Sequence, residues 1–257
     1  MRRVIINADD FGMDSERNRG ILSAAEEGLV TSVALLANGE GLKEHLPRLL
    51  DIPSISVGLH LNVTEGEPLV MPSRSPFFRG KEPFWDGLDG ESVSGDDVRK
   101  EFRAQMNRFM ALTGRLPSHV DGHQHIHVAA PLVSAVIDLC REYRIERIRV
   151  PFDPTGEDRW NRSSEAARTL FAAAGLRSPD HFRGTANAFR PSLDRFLNDL
   201  ESIPEGASTE IMVHPGYRSV GGCAFSDERR EEELAILRHP RVRAAFTAFE
   251  CIRYDEL

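Results

Sequence analysis

Four of the nine histidines of this chain lie within nine residues, in the segment HVDGHQHIH from His119 to His127. Packing alone does not call for such a cluster, because each buried imidazole needs partners for its polar nitrogens. A metal ion, or a polar cavity that holds a substrate, would satisfy these nitrogens. A histidine-rich surface loop is the alternative. Asp121 and Gly122, which suits a tight turn, favour the functional interpretation.

The spacing of the cluster limits how many of its histidines can bind one ion. In a strand, alternate residues from 119 to 127 would point to one face. His123 and His127 would then lie about 13 Å apart, at about 3.3 Å per residue, whereas a metal–nitrogen bond is only about 2.0–2.1 Å long. At most two of these histidines can therefore serve one ion, and the remaining ligands must come from elsewhere in the chain.

Other ionisable side chains stand at the ends of segments that have the pattern of buried strands. The carboxyl ends of parallel strands form one rim, where α/β folds build their sites, so we expect these side chains to meet. The predicted strands are Val4–Ala8, Thr31–Leu36, Ile55–Leu61, one opened by Pro117, Ile145–Val150 and Thr209–Val213. The side chains at or just after their ends are Asp9, Asp10, His60, His123, Arg149 and His214.

Helical patterns alternate with these strands along the whole chain. The predicted helices are Glu16–Glu27, Gly41–Leu50, Asp96–Leu112, Pro131–Tyr143, Ser163 or Ser164 to Ala174, Leu193–Leu200 and Asp227–Arg238, and Ala244–Phe249 indicates a last strand or helix edge. No internal repeat or linker interrupts this order. The alternation predicts an α/β fold of parallel βα units, in which one domain over residues 1–257 has a helix-wrapped sheet or barrel.

Residues 63–95 break the alternation and indicate a long inserted loop. A loop of this length inside a compact domain is usually functional or mobile. It carries Phe84 and Trp85 among prolines, glycines and charges. These aromatic residues predict either a lid that packs on the body of the protein or a surface on which a sugar stacks at the mouth of a site.

The composition disfavours several classes of partner, crosslink and targeting segment. The net charge of -8 disfavours nucleic acid and anionic membranes as partners. Cys140, Cys223 and Cys251 form no CxxC pair, so neither a disulfide framework nor a thiolate zinc site is indicated. The first apolar segment is too short for a signal peptide, and no apolar run approaches the length of a membrane span. We therefore expect a cytoplasmic protein.

Asp10, His60 and one histidine of the cluster would form a two-histidine, one-carboxylate metal site with open positions for water and substrate. Asp9 should project differently from Asp10, which would leave it as a general base. His214 would protonate a leaving group, and Arg149 could hold the base carboxylate ionised and in position. Taken singly, the aspartates could begin a turn, His60 could be a core histidine and Arg149 a surface ion-pair partner. Together they favour a metal-dependent hydrolase.

Five segments of the sequence are NADDFG, GLHLNVTEG, HVDGHQHIH, IRVP and EIMVHPG, and in order and spacing they resemble the YdjC/ChbG family of carbohydrate deacetylases. The resemblance covers nearly the whole chain. It implies an irregular (β/α) barrel like that of the polysaccharide deacetylases, with fewer than eight regular strands. It also implies removal of acetyl groups from N-acetylated sugars such as chitooligosaccharides, and it allows a homodimer.

The resemblance also implies roles for single residues. Asp10, His60 and His123 correspond to the metal ligands, and His123 is preferred over His125 because it is the first histidine after the Asp-Gly pair. Asp9 corresponds to the general base and His214 to the general acid. The histidines at 125 and 127 would line the pocket or support the ligands. The family's metal is usually magnesium, although two imidazoles also suit zinc or another transition metal.

Two rival functions remain on the sequence alone. One is a different metal-dependent amidohydrolase or a phosphoesterase on the same barrel, and phosphoryl transfer often uses two ions about 3.5–4 Å apart. The small number of carboxylates and the complete ligand set for one ion disfavour it. The other is a sugar-binding protein that has lost catalysis, which would be expected to lack Asp9 or His214, and both are present.

Overall fold

Strands and helices alternate along the chain in the computed structural model, which describes residues 1–70, 78, 84–85, 95–155, 158–219 and 225–257. The strands are β1 Arg3–Phe11, β2 Ser32–Leu35, β3 Ser56–Leu61, β4 Val120–Gly122, β5 His181–Arg183, β6 Ser208–Val213 and β7 Glu250–Cys251. The helices are α1 Ser15–Glu26, α2 Leu42–Leu50, α3 Gly95–Thr113, α4 Ala130–Tyr143, α5 Asp158–Ala173, α6 Thr185–Phe189, α7 Leu193–Glu201, α8 Glu228–Arg238 and α9 Pro240–Phe246. Single 3-10 turns cover His123–Val128 and Tyr254–Glu256.

These strands form one parallel sheet in the order β4-β3-β2-β1-β6-β5, with β7 paired to the start of β1. Ile148 continues the sheet beyond β4 through an isolated bridge to Val120. In a flat sheet that position would lie about 24 Å from β6, at about 4.8 Å per strand. The Arg149 guanidinium nevertheless bonds the Glu210 carboxylate on β6, so the sheet curls into an irregular barrel.

The two faces of the sheet differ in polarity. On the outer face, alternate residues such as Val4, Ile6 and Leu59 pack with the helices in the main core. On the inner face, alternate residues are polar, and the buried Arg149 bonds both Asp9 and Glu210. Tyr254 closes this network, because its hydroxyl donates to Glu210. The helices therefore supply hydrophobic stability, while the barrel interior is left for charged groups.

The structure confirms most of the predicted helices and strands, with three corrections. The segment from Ile145 to Val150 forms isolated bridges rather than a regular strand. The helix predicted from Ser163 or Ser164 begins earlier, at Asp158. Of the two alternatives for Ala244–Phe249, the helix edge is correct, because its first three residues end α9. The sequence pattern missed β5 and α6, because three and five residues are too few to show a period.

The straight-strand geometry considered for the histidine cluster is also wrong. The strand ends at Gly122, and the chain turns sharply because Gln124 and His125 adopt left-handed φ angles of 53° and 59°. His123 is therefore the first histidine after the strand end, and the His127 ring packs against Gly122.

Most of the loop predicted at 63–95 lies outside the described residues, as does Cys223. Cys140 and Cys251 are free thiols, as expected. No helix in the described ranges is long and apolar enough to cross a membrane.

Candidate metal centre

Asp10, His60 and His123 meet at the carboxyl ends of β1, β3 and β4, and each offers one ligand atom within 4.8 Å of the others. The Asp10 Oδ1 atom lies 2.8 Å from His123 Nδ1 and 3.6 Å from His60 Nε2. The predicted ligand set is therefore brought together from three separate strands, as the rim of a parallel sheet requires.

A bulge in β1 allows two neighbouring carboxylates to face one cavity. The pairing of β1 with β2 shifts register between Ala8 and Phe11, and Asp10 has a φ of 73°, in the left-handed region. Strict alternation would send Asp9 and Asp10 to opposite faces. The bulge re-aims Asp10, so that both aspartates line the same cavity, and such strain is often stored at functional sites.

Two arginines from helices bind the second oxygen of Asp10. The Arg230 guanidinium on α8 donates to Oδ2, and Arg17 Nη1 on α1 lies 3.4 Å from the same atom. Helix α1 reaches the site because Gly20 packs directly on Gly216, where a Cβ would come within 2.3 Å of the Gly216 Cα. Burial opposes ionisation of Asp10, but the charges of His123 and Arg230 outweigh it and hold the Asp10 pKa well below its usual value.

His60 is oriented by a carboxylate behind it. Its Nδ1 lies 2.8 Å from Asp121 Oδ1, and the register of β3 and β4 pairs these two residues directly. Burial lowers the His60 pKa, but the charges of Asp121 and Asp9 more than reverse this and raise it to about 10. Nδ1 therefore donates to Asp121, and Nε2 is presented to Asp10, the arrangement that metal-bound histidines commonly have.

His123 has a comparable carboxylate on its other side. Its Nε2 atom lies 3.6 Å from Glu65 Oε2, and Gln124 Nε2 donates to the second Glu65 oxygen at 2.7 Å. Burial lowers the His123 pKa, but Asp10, followed by Glu65, raises it above its usual value. The raised pKa values of His60 and His123 show that this corner of the cavity attracts a cation.

Asp9 lies beside the candidate metal ligands, but its carboxylate accepts hydrogen bonds from an arginine and an asparagine. Arg149 Nη1 and Nη2 each donate to one Asp9 oxygen at 2.7 Å, and Asn7 Nδ2 donates to Oδ1 at 2.7 Å. Its Oδ2 atom lies 4.0 Å from His60 Nε2. Arg149 also lies 3.1 Å from Asp121 Oδ2, and these carboxylates outweigh burial and raise the Arg149 pKa well above its usual value. A permanent cation thus fixes the position of Asp9.

His214 reaches the same cavity from the end of β6. Its backbone N–H donates to Glu233 Oε2 at 2.5 Å, and its Nδ1 atom lies 3.7 Å from that oxygen. Burial lowers the His214 pKa to about 4, against the opposing charges of Asp10 and Asp9. Burial also raises the pKa of Glu233 to about 7.

His125 and His127 occupy different environments from His123. His125 lines the cavity, with its ring at the edge of Trp160 at a centroid distance of 5.6 Å. His127 is buried away from the cavity, and its Nε2 lies 3.1 Å from the Arg149 carbonyl. Burial, aided by the Arg149 charge, lowers the His125 pKa well below its usual value. Burial also lowers the His127 pKa, to about 4, despite Asp121.

The cavity around these groups has a volume of about 330 Å³ and one apolar wall. That wall is lined by Trp160, Ala188, Phe189, Met212 and Phe225. Phe84 and Trp85 are not among the lining residues. They are 2% and 5% exposed and pack in the main core, so these two rings pack on the body of the protein, and their contact with sugar stays a prediction.

Several residues that contact the candidate metal ligands or His214 were not assigned roles from the sequence. They are Arg17, Glu65, Asp121, Arg230 and Glu233. The pairing of β3 with β4 could have identified Asp121 as the neighbour of His60. Arg230 and Glu233 lie in the charged run ERREEEL of α8, which has the composition of a solvated surface helix and gives no signal of burial.

These residues fit a divalent ion. Asp10 Oδ1 is buried and has no hydrogen-bond donor among the described residues, although it points at both imidazoles. Two nitrogens and one carboxylate oxygen suit zinc and related transition metals, and the carboxylate also suits magnesium. A second group, Asp9, His60 and Asp121, also has three close ligand atoms. Arg149 contacts both of its carboxylates, so its positive charge opposes a metal ion at that group.

Known proteins with similar sequences are named as deacetylases of carbohydrates. The carbohydrate deacetylase of Mus musculus is 38% identical, over 94% of this chain and 90% of the relative. The chitooligosaccharide deacetylase of Klebsiella pneumoniae is 34% identical, over 95% of this chain and 94% of the relative.

Solved structures confirm the predicted fold class, an α/β barrel like that of the polysaccharide deacetylases. An Enterococcus faecalis protein described as a proposed cellobiose-phosphate cleavage protein superposes with a TM-score of 0.80 at 24% identity, over 99% of this chain and 98% of that chain. A peptidoglycan N-acetylglucosamine deacetylase superposes with a TM-score of 0.52 at 14% identity, over 98% and 84%. At these identities the likeness concerns the fold alone. The family model described as YdjC-like protein matches residues 3–248, and this chain belongs to that family.

Proposed function

We propose that this chain is a metal-dependent hydrolase that removes the acetyl group from N-acetylated sugars of the chitooligosaccharide type. The proposal is supported by the relatives named carbohydrate and chitooligosaccharide deacetylase. The observation that carries it is the meeting of three ligand atoms within 4.8 Å, next to an arginine-bound aspartate and a histidine in one cavity.

Asp10, His60 and His123 would hold the ion. When bound, a divalent ion can lower the pKa of a water molecule and polarise an amide carbonyl. Asp121 fixes the tautomer of His60, and Arg230 leaves Asp10 Oδ1 pointing at the site by occupying Oδ2. Magnesium follows from the family resemblance, and zinc or another transition metal from the two imidazoles.

Asp9 is the general base in this proposal. It accepts a proton from the attacking water as the water oxygen adds to the acetamide carbonyl carbon. Arg149 holds both Asp9 oxygens at 2.7 Å, so the carboxylate cannot rotate away from the cavity. The arginine is buried within a network of carboxylates and stays charged throughout.

His214 is the general acid, and Glu233 supplies its proton. With a pKa of about 4, the free imidazole is neutral at pH 7 and can donate only its Nε2 proton. That proton passes to the amine nitrogen as the C–N bond breaks, which yields acetate and a free amino sugar. The Glu233 carboxyl, whose oxygen lies 3.7 Å from Nδ1 and whose pKa burial raises to about 7, gives its proton to Nδ1 in the same step, so that the imidazole stays neutral and never becomes an anion.

The test is acetate release from N,N'-diacetylchitobiose by protein stripped with a chelator and reloaded with magnesium or zinc. We expect activity only after reloading, with one ion per chain. Asp9→Asn should bind the ion with unchanged affinity and lose about 100-fold or more in kcat, because general base catalysis contributes about 10²–10⁴-fold. Near-normal turnover by this variant would contradict the role of Asp9.

The second candidate function is a two-metal phosphoesterase, which the second ligand group of Asp9, His60 and Asp121 favours. The charge of Arg149, 2.7 Å from Asp9 and 3.1 Å from Asp121, opposes a second cation there. Two ions per chain, together with hydrolysis of a phosphate monoester, would support this alternative over the deacetylase.

A further inference from the structure

An aromatic pair stands at the open end of the cavity, on the apolar wall. Phe189 is 44% exposed, and the other exposed large apolar side chains in the described ranges are not aromatic. Its ring stacks on Trp160, with an interplanar angle of 15° and a centroid distance of 6.1 Å. Trp160 is buried, and both residues line the cavity. An exposed aromatic face at the mouth of a cavity is typical of a ligand contact.

The backbone holds Phe189 in place. Phe189 ends the short helix α6, which begins after Gly184, and Gly184 has a φ of 114° with no room for a Cβ next to the Met212 carbonyl. Asp153 Oδ2 accepts the Thr185 N–H at 3.0 Å, and Asn187 Nδ2 donates to Asp199 at 3.0 Å. These bonds fix the position of the helix, so ligand binding need not order the ring at an entropic cost.

The pair is connected to the reaction centre through His125. The His125 ring meets Trp160 edge-on at 5.6 Å, and His125 lies two residues after the predicted ligand His123. A continuous row of ring contacts therefore leads from His125, near the candidate metal ligand His123, through Trp160 to Phe189 at the cavity mouth. Arg229 and Arg230 also line the cavity, and their guanidinium groups lie over the Phe225 ring, 4.5 and 4.8 Å from its centroid. Phe189, by contrast, has an exposed aromatic face. A chain of sugar rings entering the cavity would meet its apolar contact at Phe189.

We propose that Phe189, supported by Trp160, is the stacking platform for the sugar ring next to the one that is deacetylated. A pyranose ring has an apolar face of C–H groups that matches an aromatic ring in size and shape. This proposal rests on the proposed function, and it specifies an oligosaccharide of at least two rings as the substrate. The platform adds binding energy remote from the acetyl group, where it serves to position the substrate.

The test compares acetate release from N-acetylglucosamine, N,N'-diacetylchitobiose and the trisaccharide. Phe189→Ala should lower kcat/KM about 10-fold on the two oligosaccharides, mainly through KM, and leave the monosaccharide within about 2-fold. Phe189→Tyr should retain activity because it keeps the ring face. Leu170→Ala is the matched control, since Leu170 is 51% exposed on α5 and does not line the cavity. Equal kcat/KM of wild type and Phe189→Ala on all three sugars would overturn the platform and leave the deacetylase proposal standing.

A binding measurement separates the two proposals if no acetate is released. Calorimetric titration of the disaccharide into Asp9→Asn, with and without Phe189→Ala, reports the platform without turnover. Binding that weakens about 10-fold in the double variant would support the platform even if the deacetylase proposal failed. Binding with the same affinity in both variants, or no binding of the disaccharide at all, would overturn the platform.

Discussion

Two halves of the histidine motif lie in opposite electrostatic surroundings. His123, like His60 on the neighbouring strand, faces carboxylates, and the pKa of each imidazole is raised. His125 and His127, two and four residues later, are buried near Arg149, and the pKa of each is lowered. The left-handed turn at Gln124 and His125 separates the halves. Position relative to the strand end, rather than residue type, decides which imidazoles attract a cation.

A proton is the simplest cation, so a raised imidazole pKa marks a place where a metal ion would be attracted too. Metal ions and protons compete for the same nitrogens. A lowered pKa marks an imidazole that the fold keeps neutral, where a charge of either kind is costly. These surroundings support the proposed ligand role for the half of the motif next to Asp10 and a structural role for the other half.

The largest effect is expected when one histidine is removed from each half of the motif, which tests which half binds the metal ion. His123→Ala should weaken metal affinity by at least about 100-fold, beyond the roughly 10–100-fold typical of supporting residues, because a direct ligand is lost. His125→Ala is its matched partner and should keep metal affinity within a few-fold. Competition with a chromophoric chelator gives both dissociation constants. A larger loss in His125→Ala than in His123→Ala would reverse the assignment.

A smaller effect is expected from the carboxylate behind His60. Asp121→Asn keeps an acceptor for His60 Nδ1 but removes the charge, so metal affinity should fall about 10–100-fold. Asp180→Asn is the control, since Asp180 accepts bonds from Ser208 at 2.8 Å, away from the ligands. Unchanged metal affinity in Asp121→Asn would show that this carboxylate does not assist metal binding and acts only as an ion-pair partner of Arg149.

The smallest effect concerns acid stability in the structural half. The folded pKa of His127 is about 4, below its ordinary value of 6.5, so its stabilising contribution is complete above pH 6.5 and is lost as the pH falls towards 4. Glutamine at this position can still donate to the Arg149 carbonyl and does not titrate. Between pH 7 and 5, His127→Gln should therefore lose about 1–2 kcal/mol less unfolding free energy than wild type.

Urea denaturation of the metal-free proteins at both pH values measures this difference. Any lower baseline stability of the variant cancels, since only the change with pH is compared. The same pH dependence in both proteins would mean that His127 is not held neutral by the fold.

The sequence was sufficient to predict that three candidate ligands stand at strand ends that meet. Strand patterns ending in Asp10, His60 and His123 are local, and parallel topology brings such ends to one rim. The β1 bulge could not be predicted, because nothing in the sequence NADDFG signals a shift of register. The arginines on Asp10 were missed for a different reason: they lie on α1 and α8, whose charged sequences resemble exposed helices.

The sequence named Phe84 and Trp85 as the candidate sugar contacts, whereas the proposed platform is Phe189. Phe84 and Trp85 belong to a segment with no periodic pattern, and without a period the side that a ring faces, core or cavity, cannot be predicted. Phe189 lies on a five-residue helix that has no period of its own, and its position depends on β6 and α7. The cytoplasmic location and the homodimer stay predictions.

The network inside the barrel makes the proposed base depend on a distant part of the chain. Asp9 is held by Arg149, Arg149 by Glu210, and Glu210 by the hydroxyl of Tyr254, which lies on a short turn after the last strand. If that turn detached, the strands would stay paired, but Glu210 would lose the hydrogen bond from Tyr254. Glu210 would then hold the Arg149 guanidinium less firmly. The support of the proposed base would then weaken before the protein unfolded.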